Sequence, residues 1–305
     1  MKYIDKFILP NIDNETSLIR NRMAENGGEY GYIDNTYPCG LFTLKLLDEL
    51  DFDNVTIFYG GNGSGKSTLL NLIANKLDLK RIAPFNSSEL FDAFVKKCKV
   101  RMAEDDEGFV YKNAPHNSRI ITSDDIFDYM LTARENNKNI EENTEKCKKE
   151  YSELKYGETI HLNGFENFEE FSKQVDARRK SLSRRKFLYK FAGQEVKLNS
   201  NGETAIDYFD NKLTDDCLYC LDEPENSLSP KFQKKLVELI TRKARYCGCQ
   251  FIIATHSPFV LSLPGAKIYD LDSVPVDIKK WWELENTKTY YEFFKENEEQ
   301  FKNNR

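Results

Sequence analysis

Gly60-Gly61-Asn62-Gly63-Ser64-Gly65-Lys66-Ser67 follows an apolar run, Val55 to Tyr59, and leads into Leu69, Leu70, Ile73 and Leu77 at one-face helical spacing. The stretch is G-x-x-x-x-G-K-[ST] set between a strand and a helix, the phosphate-binding loop pattern. Its glycines let the backbone curl where a Cβ would block it. The curled N–H groups form an anion nest, and the following helix adds the positive end of its dipole. Lys66 supplies a charge for the β- and γ-phosphates, and the Ser67 hydroxyl is placed to hold Mg²⁺. Thr68 completes the expected binding set of Gly60, Gly61, Asn62, Gly63, Ser64, Gly65, Lys66, Ser67 and Thr68.

The chain of 305 residues has room for one large α/β domain with an insertion, or two modest domains. Its 40% hydrophobic content supplies a sizeable core. A net charge of −6 argues against a generic polyanion binder, so any nucleic-acid site must be a local patch. No apolar run approaches the roughly eighteen residues of a membrane span. Met1-Lys2-Tyr3-Ile4-Asp5 carries no signal-peptide core, so a cytoplasmic location and no membrane contact are expected. Seven cysteines include Cys217-x-x-Cys220 and Cys247-x-Cys249, spacings that resemble metal-ligand pairs. Cys217 and Cys220 bracket an apolar strand, where residues three apart face opposite ways, so they read as core.

Residues 1–83 read as an N-terminal lobe that carries the phosphate loop, with 1–54 as antiparallel strands and turns. Phe42, Leu44 and Leu46 alternate with Thr43 and Lys45 as in a half-buried strand. From 84 to 195 long charged stretches with few strand signals predict a mostly helical insertion. Ser123-Asp124-Asp125 starts one helix there, and Phe165, Phe168, Phe171 and Val175 give another an apolar face. Residues 196–275 return to an α/β pattern, with strands at Cys217–Leu221, Phe251–Ala254 and Lys267–Leu271 and a helix opened by Ser229-Pro230. Residues 276–305 form an aromatic, helical tail. Strands separated by helices predict a mostly parallel sheet, so the fold class is α/β of the P-loop type.

The strand ending Leu221-Asp222-Glu223 places two carboxylates where open α/β sheets bind ligands. Asp222 is the expected Mg²⁺ partner and Glu223 the expected general base for the attacking water. The strand Phe251–Ala254 leads into Thr255-His256-Ser257-Pro258. His256 is placed to hydrogen-bond the γ-phosphate or that water, and Ser257 to cap the helix that Pro258 opens.

With these residues in view, the chain resembles a stand-alone bacterial ABC-type ATPase of the AAA/P-loop class, related to the heads of SMC, RecF and OLD proteins. Leu221 to Pro230 resembles the family's Walker B segment and D-loop, and Ala254-Thr255-His256-Ser257-Pro258 its switch-histidine loop. Leu198-Asn199-Ser200-Asn201-Gly202-Glu203 resembles the ABC signature; by the residues alone Ser200-Asn201-Gly202 is a turn. The resemblance implies ATP and Mg²⁺ as ligands and a homodimer that sandwiches two ATP molecules. Ser200, Gly202 and Glu203 of one chain would then serve the ATP held by the other. Two departures stand out: Ser229 replaces the Asp that ends the D-loop of transporter-type cassettes, and no Gln occurs between the phosphate loop and Gln174. Asn86 is a weak stand-in for the Q-loop residue.

Two roles compete. One is an ATP-driven dimeric switch acting with nucleic acid or a partner protein, as in phage defence or DNA repair. The other is a slow-turnover, ATP-gated binding module for an effector protein. A basic run, Arg178, Arg179, Lys180, Arg184, Arg185 and Lys186, would contact phosphates if it formed one helix face. The aromatic tail with Trp281, Trp282, Tyr290, Tyr291, Phe293 and Phe294 is expected to pack on its own domain. Tyr30, Tyr32, Tyr37 and Phe42 are candidates for stacking on adenine.

Overall fold

The protein's structure is a computed structural model that describes residues 1–25, 35–85, 87–163, 165–179, 186–187, 190, 201–226 and 228–302. The chain forms two compact units, one of Met1–Ile126 with Asn201–Arg305, the other Phe127–Ser200.

The first unit carries two sheets. The strands are β1 (Ile4–Ile8), β2 (Glu49–Asp51), β3 (Val55–Tyr59), β4 (Lys99–Met102), β5 (Arg119–Thr122), β6 (Leu218–Asp222), β7 (Gln250–Thr255), β8 (Lys267–Asp270) and β9 (Asp277–Ile278). β2, β1 and β4 make a small antiparallel sheet. The main sheet has the order β5-β6-β7-β3-β8-β9, parallel except for β9. All residues of β3 and β7 are buried, as expected of parallel strands covered on both faces. Gln250, itself fully buried, joins the sheets: its side chain accepts from Tyr3 N and Ile4 N and donates to Ile4 O and Asp53 O.

The helices of this unit are α1 (Ile12–Glu25), α2 (Lys66–Lys76), α3 (Glu89–Lys97), α6 (Asn201–Lys212), α7 (Pro230–Tyr246), α8 (Pro258–Leu261), α9 (Glu285–Glu296) and α10 (Glu298–Lys302), together with the start of α4 (Ser123–Tyr156). Leu69, Leu70, Leu72, Ile73 and Ala74 of α2 are all buried, fixing the helix that follows the Gly-rich loop. The second unit holds the rest of α4, the helix α5 (Phe168–Arg178) and a small core of Tyr151, Ala177 and Phe187.

Four local expectations are corrected. Residues 42–46 form no strand: Thr43–Lys45 is a 3₁₀ turn, Leu44 and Leu46 are exposed, and Leu46 takes φ +54°. Lys45 instead turns inward, its Nζ donating to Ser64 O at 2.9 Å and to Leu271 O. Helix α1 also lies in the part read as strands and turns; the Asn11 side chain accepts from Asn14 N at its start. The stretch read as mostly helical contains β4 and β5, which are only four residues each and mix charged with apolar positions. In α5, Phe165 just before it, Phe168 and Val175 are exposed, whereas Gln174, Asp176 and Ala177 are buried. That polar face serves the preceding chain: Gln174 accepts from Ile160 N and donates to Glu158 O.

Candidate functional site

The sheet order decides what meets. β3 lies beside β7, with Tyr59 opposite Thr255, and β7 lies beside β6, with Ala254 opposite Asp222. The carboxyl ends of three strands therefore stand level, and the residues just beyond them share one edge, the usual ligand side of an open α/β sheet. The sequence separates Tyr59 from Thr255 by 196 positions; the parallel register brings them together.

The loop after β3 is braced on several sides. Gly65 caps α2 at φ +101°, a conformation that disfavours a side chain, and a Cβ there would sit 3.2 Å from Leu41 and Phe42. The Asp272 carboxylate accepts from Gly61 N at 2.8 Å, and Lys45 holds Ser64 O. Lys66 is buried; its Nζ donates to Gly60 O at 2.7 Å and to Gly61 O at 3.0 Å, and stands 3.8 Å from Glu223 Oε1. Beside the loop lies a cavity of about 560 Å³, lined also by Tyr37, Leu41, Ser123, Asp222 and Glu223. A Gly-rich loop, Lys66 and the α2 N-terminus on one side give this cavity the chemistry that suits an anion.

Asp222 accepts from Ser67 Oγ at 3.0 Å. Burial pushes its carboxyl up to about 6, with the neighbouring Glu223 adding to the rise and Ser67 opposing it. A desolvated carboxylate beside a hydroxyl is a hard-oxygen pair suited to a divalent cation, so these residues fit Mg²⁺. Glu223 sits at φ +45°, an uncommon conformation for a residue with a side chain. It is held there by its own N–H, which donates to Ala254 O at 2.9 Å, and by Asn226 Nδ2, which donates to its Oε2 at 3.0 Å. His256 Nδ1 lies 3.5 Å from Glu223 Oε1 and 3.8 Å from Glu225 Oε1, close contacts longer than ordinary hydrogen bonds.

Glu225 was not singled out from the sequence, yet it organises the histidine loop. Its Oε1 accepts from Thr255 Oγ1 at 2.5 Å and from the backbone N–H groups of His256 and Ser257 at 3.3 Å each. Burial drives its carboxyl upward, against these hydrogen bonds. Asn286, at the start of α9, donates to His256 O and fixes the loop from the other side. The sequence signal for Glu225 was a third acidic residue within four positions of the strand end. Nothing in the sequence pointed to Asn286, Asp272 or Lys45, which reach the loops from distant segments.

The other expected site residues fall as follows. Tyr37 edges the cavity, and its hydroxyl hydrogen-bonds Thr68 Oγ1 at 2.7 Å. Phe42 is buried behind Gly65, so it offers no ring face to the cavity. Tyr30, Tyr32, Asn86 and Ser200 lie outside the described residues. Gly202 is no turn residue: it stands in the first turn of α6, so close to α7 that a Cβ would come within 2.2 Å of the Phe232 ring. Glu203 follows it, exposed. Neither is among the described residues lining the cavity beside the phosphate loop.

The basic run does not continue as one helix, because α5 ends at Arg178 and Arg179 is extended. Arg178 is spent internally, donating to Leu154 O, Gly157 O, Glu158 O and Thr159 Oγ1 at 2.8–3.3 Å. Lys180, Arg184 and Arg185 lie outside the described residues. The tail also departs from expectation. Trp282, Tyr290, Tyr291, Phe293 and Phe294 are exposed, and Thr287 is the buried residue of α9. Among the described residues no helix is long and apolar enough to cross a membrane.

The model of the ABC transporter family matches residues 49–226. A second family model, an AAA domain described with the AbiEii toxin and type IV toxin–antitoxin systems, matches residues 212–262. No curated protein matches the chain. Among solved structures, the SMC head domain from Thermotoga maritima is 16% identical, over 76% of this chain and 92% of that one, with a TM-score of 0.35. The Smc head domain from Pyrococcus furiosus, with an extended coiled coil and bound to the C-terminal domain of ScpA, is 13% identical over 96% and 100%, with a TM-score of 0.39. A dimeric ATP-binding cassette in a post-hydrolysis state with ADP and Pi is 16% identical over 76% and 88%, with a TM-score of 0.36.

Proposed function

The chain belongs to the ABC transporter family, whose model matches more than half of it, and on that premise we propose that it binds ATP with Mg²⁺ and hydrolyses it to ADP and phosphate. One observation carries the reading: Lys66, Ser67, Asp222, Glu223 and His256 stand together at the level ends of β3, β6 and β7.

The roles follow from the geometry. The loop N–H groups and Lys66 take the β- and γ-phosphates, Lys66 exchanging its two carbonyl partners for phosphate oxygens. Ser67 and Asp222 hold Mg²⁺, which when bound neutralises charge on the phosphates. Glu223, steered by Asn226, accepts the proton of the attacking water. His256 is held beside it by Glu225 and Asn286 and orients that water or the γ-phosphate. Tyr37 provides the ring against which adenine stacks, since among the described residues it is the candidate aromatic at the cavity edge. The chain works as a homodimer, with Ser200, Gly202 and Glu203 completing the partner's site; the resemblance of 198–203 to the ABC signature supports this. Of the two partner classes, an effector protein is favoured over nucleic acid. Arg178 is already committed within its own unit, while the tail aromatics are exposed.

The test is turnover and assembly in Glu223→Gln. ATP binding should persist, hydrolysis should fall by about 10² or more, and an ATP-bound dimer should accumulate in sizing experiments. Near-normal turnover would move the base to another residue. Lys66→Ala is the companion variant, expected to lose ATP binding with the fold intact.

A further inference from the structure

The phosphate loop is held from behind by a residue that belongs to no motif. Lys45, in the turn Thr43–Lys45, is half-buried and is not among the described residues lining the cavity beside the loop, whereas Ser64 and Gly65 are. Its Nζ donates to Ser64 O at 2.9 Å and to Leu271 O. Its own carbonyl accepts from Val276 N at 3.1 Å, and Leu271 N donates to Tyr59 O at 2.9 Å. Asp272, next to Leu271, accepts from Gly61 N at 2.8 Å. The segment 271–276 is therefore bonded to the end of β3, to the loop and to Lys45, and Lys45 links its start to Ser64.

One of these bonds bears directly on the cavity. The Ser64–Gly65 peptide is trans, and the carbonyl and N–H of a planar trans peptide point opposite ways. Ser64 O faces Lys45, so Gly65 N–H faces away from it. Among the described residues Gly65 N–H has no acceptor. Gly65 stands at φ +101°, and a glycine has several backbone conformations open to it, so the direction of this N–H needs an outside restraint. Both partners of Lys45 Nζ are neutral carbonyls, and no carboxylate among the described residues pairs with it, so its full charge stays beside the loop.

We infer, on the ATP-binding reading, that Lys45 is a positioning residue for phosphate. By holding Ser64 O it aims Gly65 N–H into the cavity before an anion arrives, and its charge adds to that of Lys66. A donor set in advance spares the ligand the cost of ordering the loop. The restraint serves bound phosphate alike in the ground state and the transition state. Its loss therefore raises KM and leaves kcat nearly unchanged, the reverse of what loss of a general base does.

The test is equilibrium titration of the full chain with MgADP and with magnesium tripolyphosphate, which lacks adenine. Lys45→Met removes the donors and the charge at nearly the same length. Both ligands should then bind about 10- to 100-fold more weakly, and by the same factor. In steady-state hydrolysis the same variant should raise KM for ATP by that factor while kcat changes by less than about twofold. Lys45→Gln, which keeps an amide donor without the charge, should weaken both ligands by a smaller factor, and it carries the test if Lys45→Met does not fold. Unaltered affinity for tripolyphosphate in the folded variants, a loss confined to MgADP, or a fall in kcat at constant KM would each overturn the inference and leave the ATP-binding reading standing. An unsubstituted chain that binds neither ligand would overturn both.

Discussion

Replacing Asp222 with Asn should make the nucleotide-free protein more stable while removing its ability to hold Mg²⁺. Burial lifts the Asp222 carboxyl from the ordinary 3.8 to about 6. The folded state therefore holds a proton that the unfolded chain has already lost, and the stability this group contributes is present below the ordinary value and disappears as pH rises through about 6. A rise of roughly two units corresponds to about 3 kcal/mol at neutral pH, and about 2 kcal/mol is expected once local relaxation is allowed for. Asn keeps the acceptor for Ser67 Oγ, so the hydrogen bond at 3.0 Å survives and only the desolvated charge is lost. Urea unfolding with EDTA and no nucleotide, at pH 7.5 and pH 4.5, reads the effect directly. Asp222→Asn should gain about 2 kcal/mol at pH 7.5 and well under half of that at pH 4.5. With Mg²⁺ and ATP the order should reverse, because a ligand stabilises only the state that binds it. A destabilised Asn variant at pH 7.5, or a gain that does not shrink in acid, would refute the burial argument.

Other outcomes follow from single contacts. Tyr37→Ala should weaken ATP binding by about 1–3 kcal/mol, the usual worth of a base on an aromatic ring, in a titration with a fluorescent ATP analogue; unaltered affinity would remove Tyr37 as the adenine platform. Arg178→Ala should destabilise the Phe127–Ser200 unit by about 1–3 kcal/mol, seen as faster hydrogen exchange around Leu154–Thr159, and normal exchange there would mean its hydrogen bonds carry little. Glu223→Gly should unfold at higher urea than Glu223→Ala by about 1 kcal/mol, because glycine accepts φ +45° without strain; equal stabilities would show that the backbone conformation is not strained.

The parts of the fold that were legible in the sequence are those where local chemistry and burial agree. Val55–Tyr59 reads as a buried parallel strand and is one, because both faces of β3 are covered and Thr56 is the run's one small polar residue, its hydroxyl accepting from Asp53 N. Ser257 caps the helix opened by Pro258, its Oγ accepting from Phe259 N and Val260 N, because that role needs only neighbours in sequence. Two of the misreadings share a physical cause, a polar residue turned inward. Residues 42–46 alternate like a strand, but Lys45 seeks the carbonyls of Ser64 and Leu271, and the flanking leucines are left in solvent. Helix α5 has an apolar stripe, but Gln174 is the residue that satisfies the backbone of 158–160, so the helix turns the other face inward. In the candidate site the same limit applies. Loop motifs named the groups expected to face phosphate, whereas Glu225, Asn286, Asp272 and Lys45, which hold those groups, reach the loops across separations of 19 to 211 residues.

Several local departures from ordinary folding preferences meet at one sheet edge. Gly65 at φ +101°, Glu223 at φ +45°, the desolvated Asp222 and the buried Lys66 all lie within the residues that follow β3 or end β6. Each is unfavourable for an empty fold, and each becomes favourable when a polyanion with a divalent cation is present. Phosphate would take up loop N–H groups, and Lys66 would gain anionic partners in place of two carbonyls. A cation restores the solvation that Asp222 lost. Packing alone gives no reason to collect these costs in one place, since apolar residues at the same strand ends would make a more stable protein. Their concentration is therefore an argument for ligand-coupled stability, in which nucleotide binding and folding free energy are drawn from the same residues.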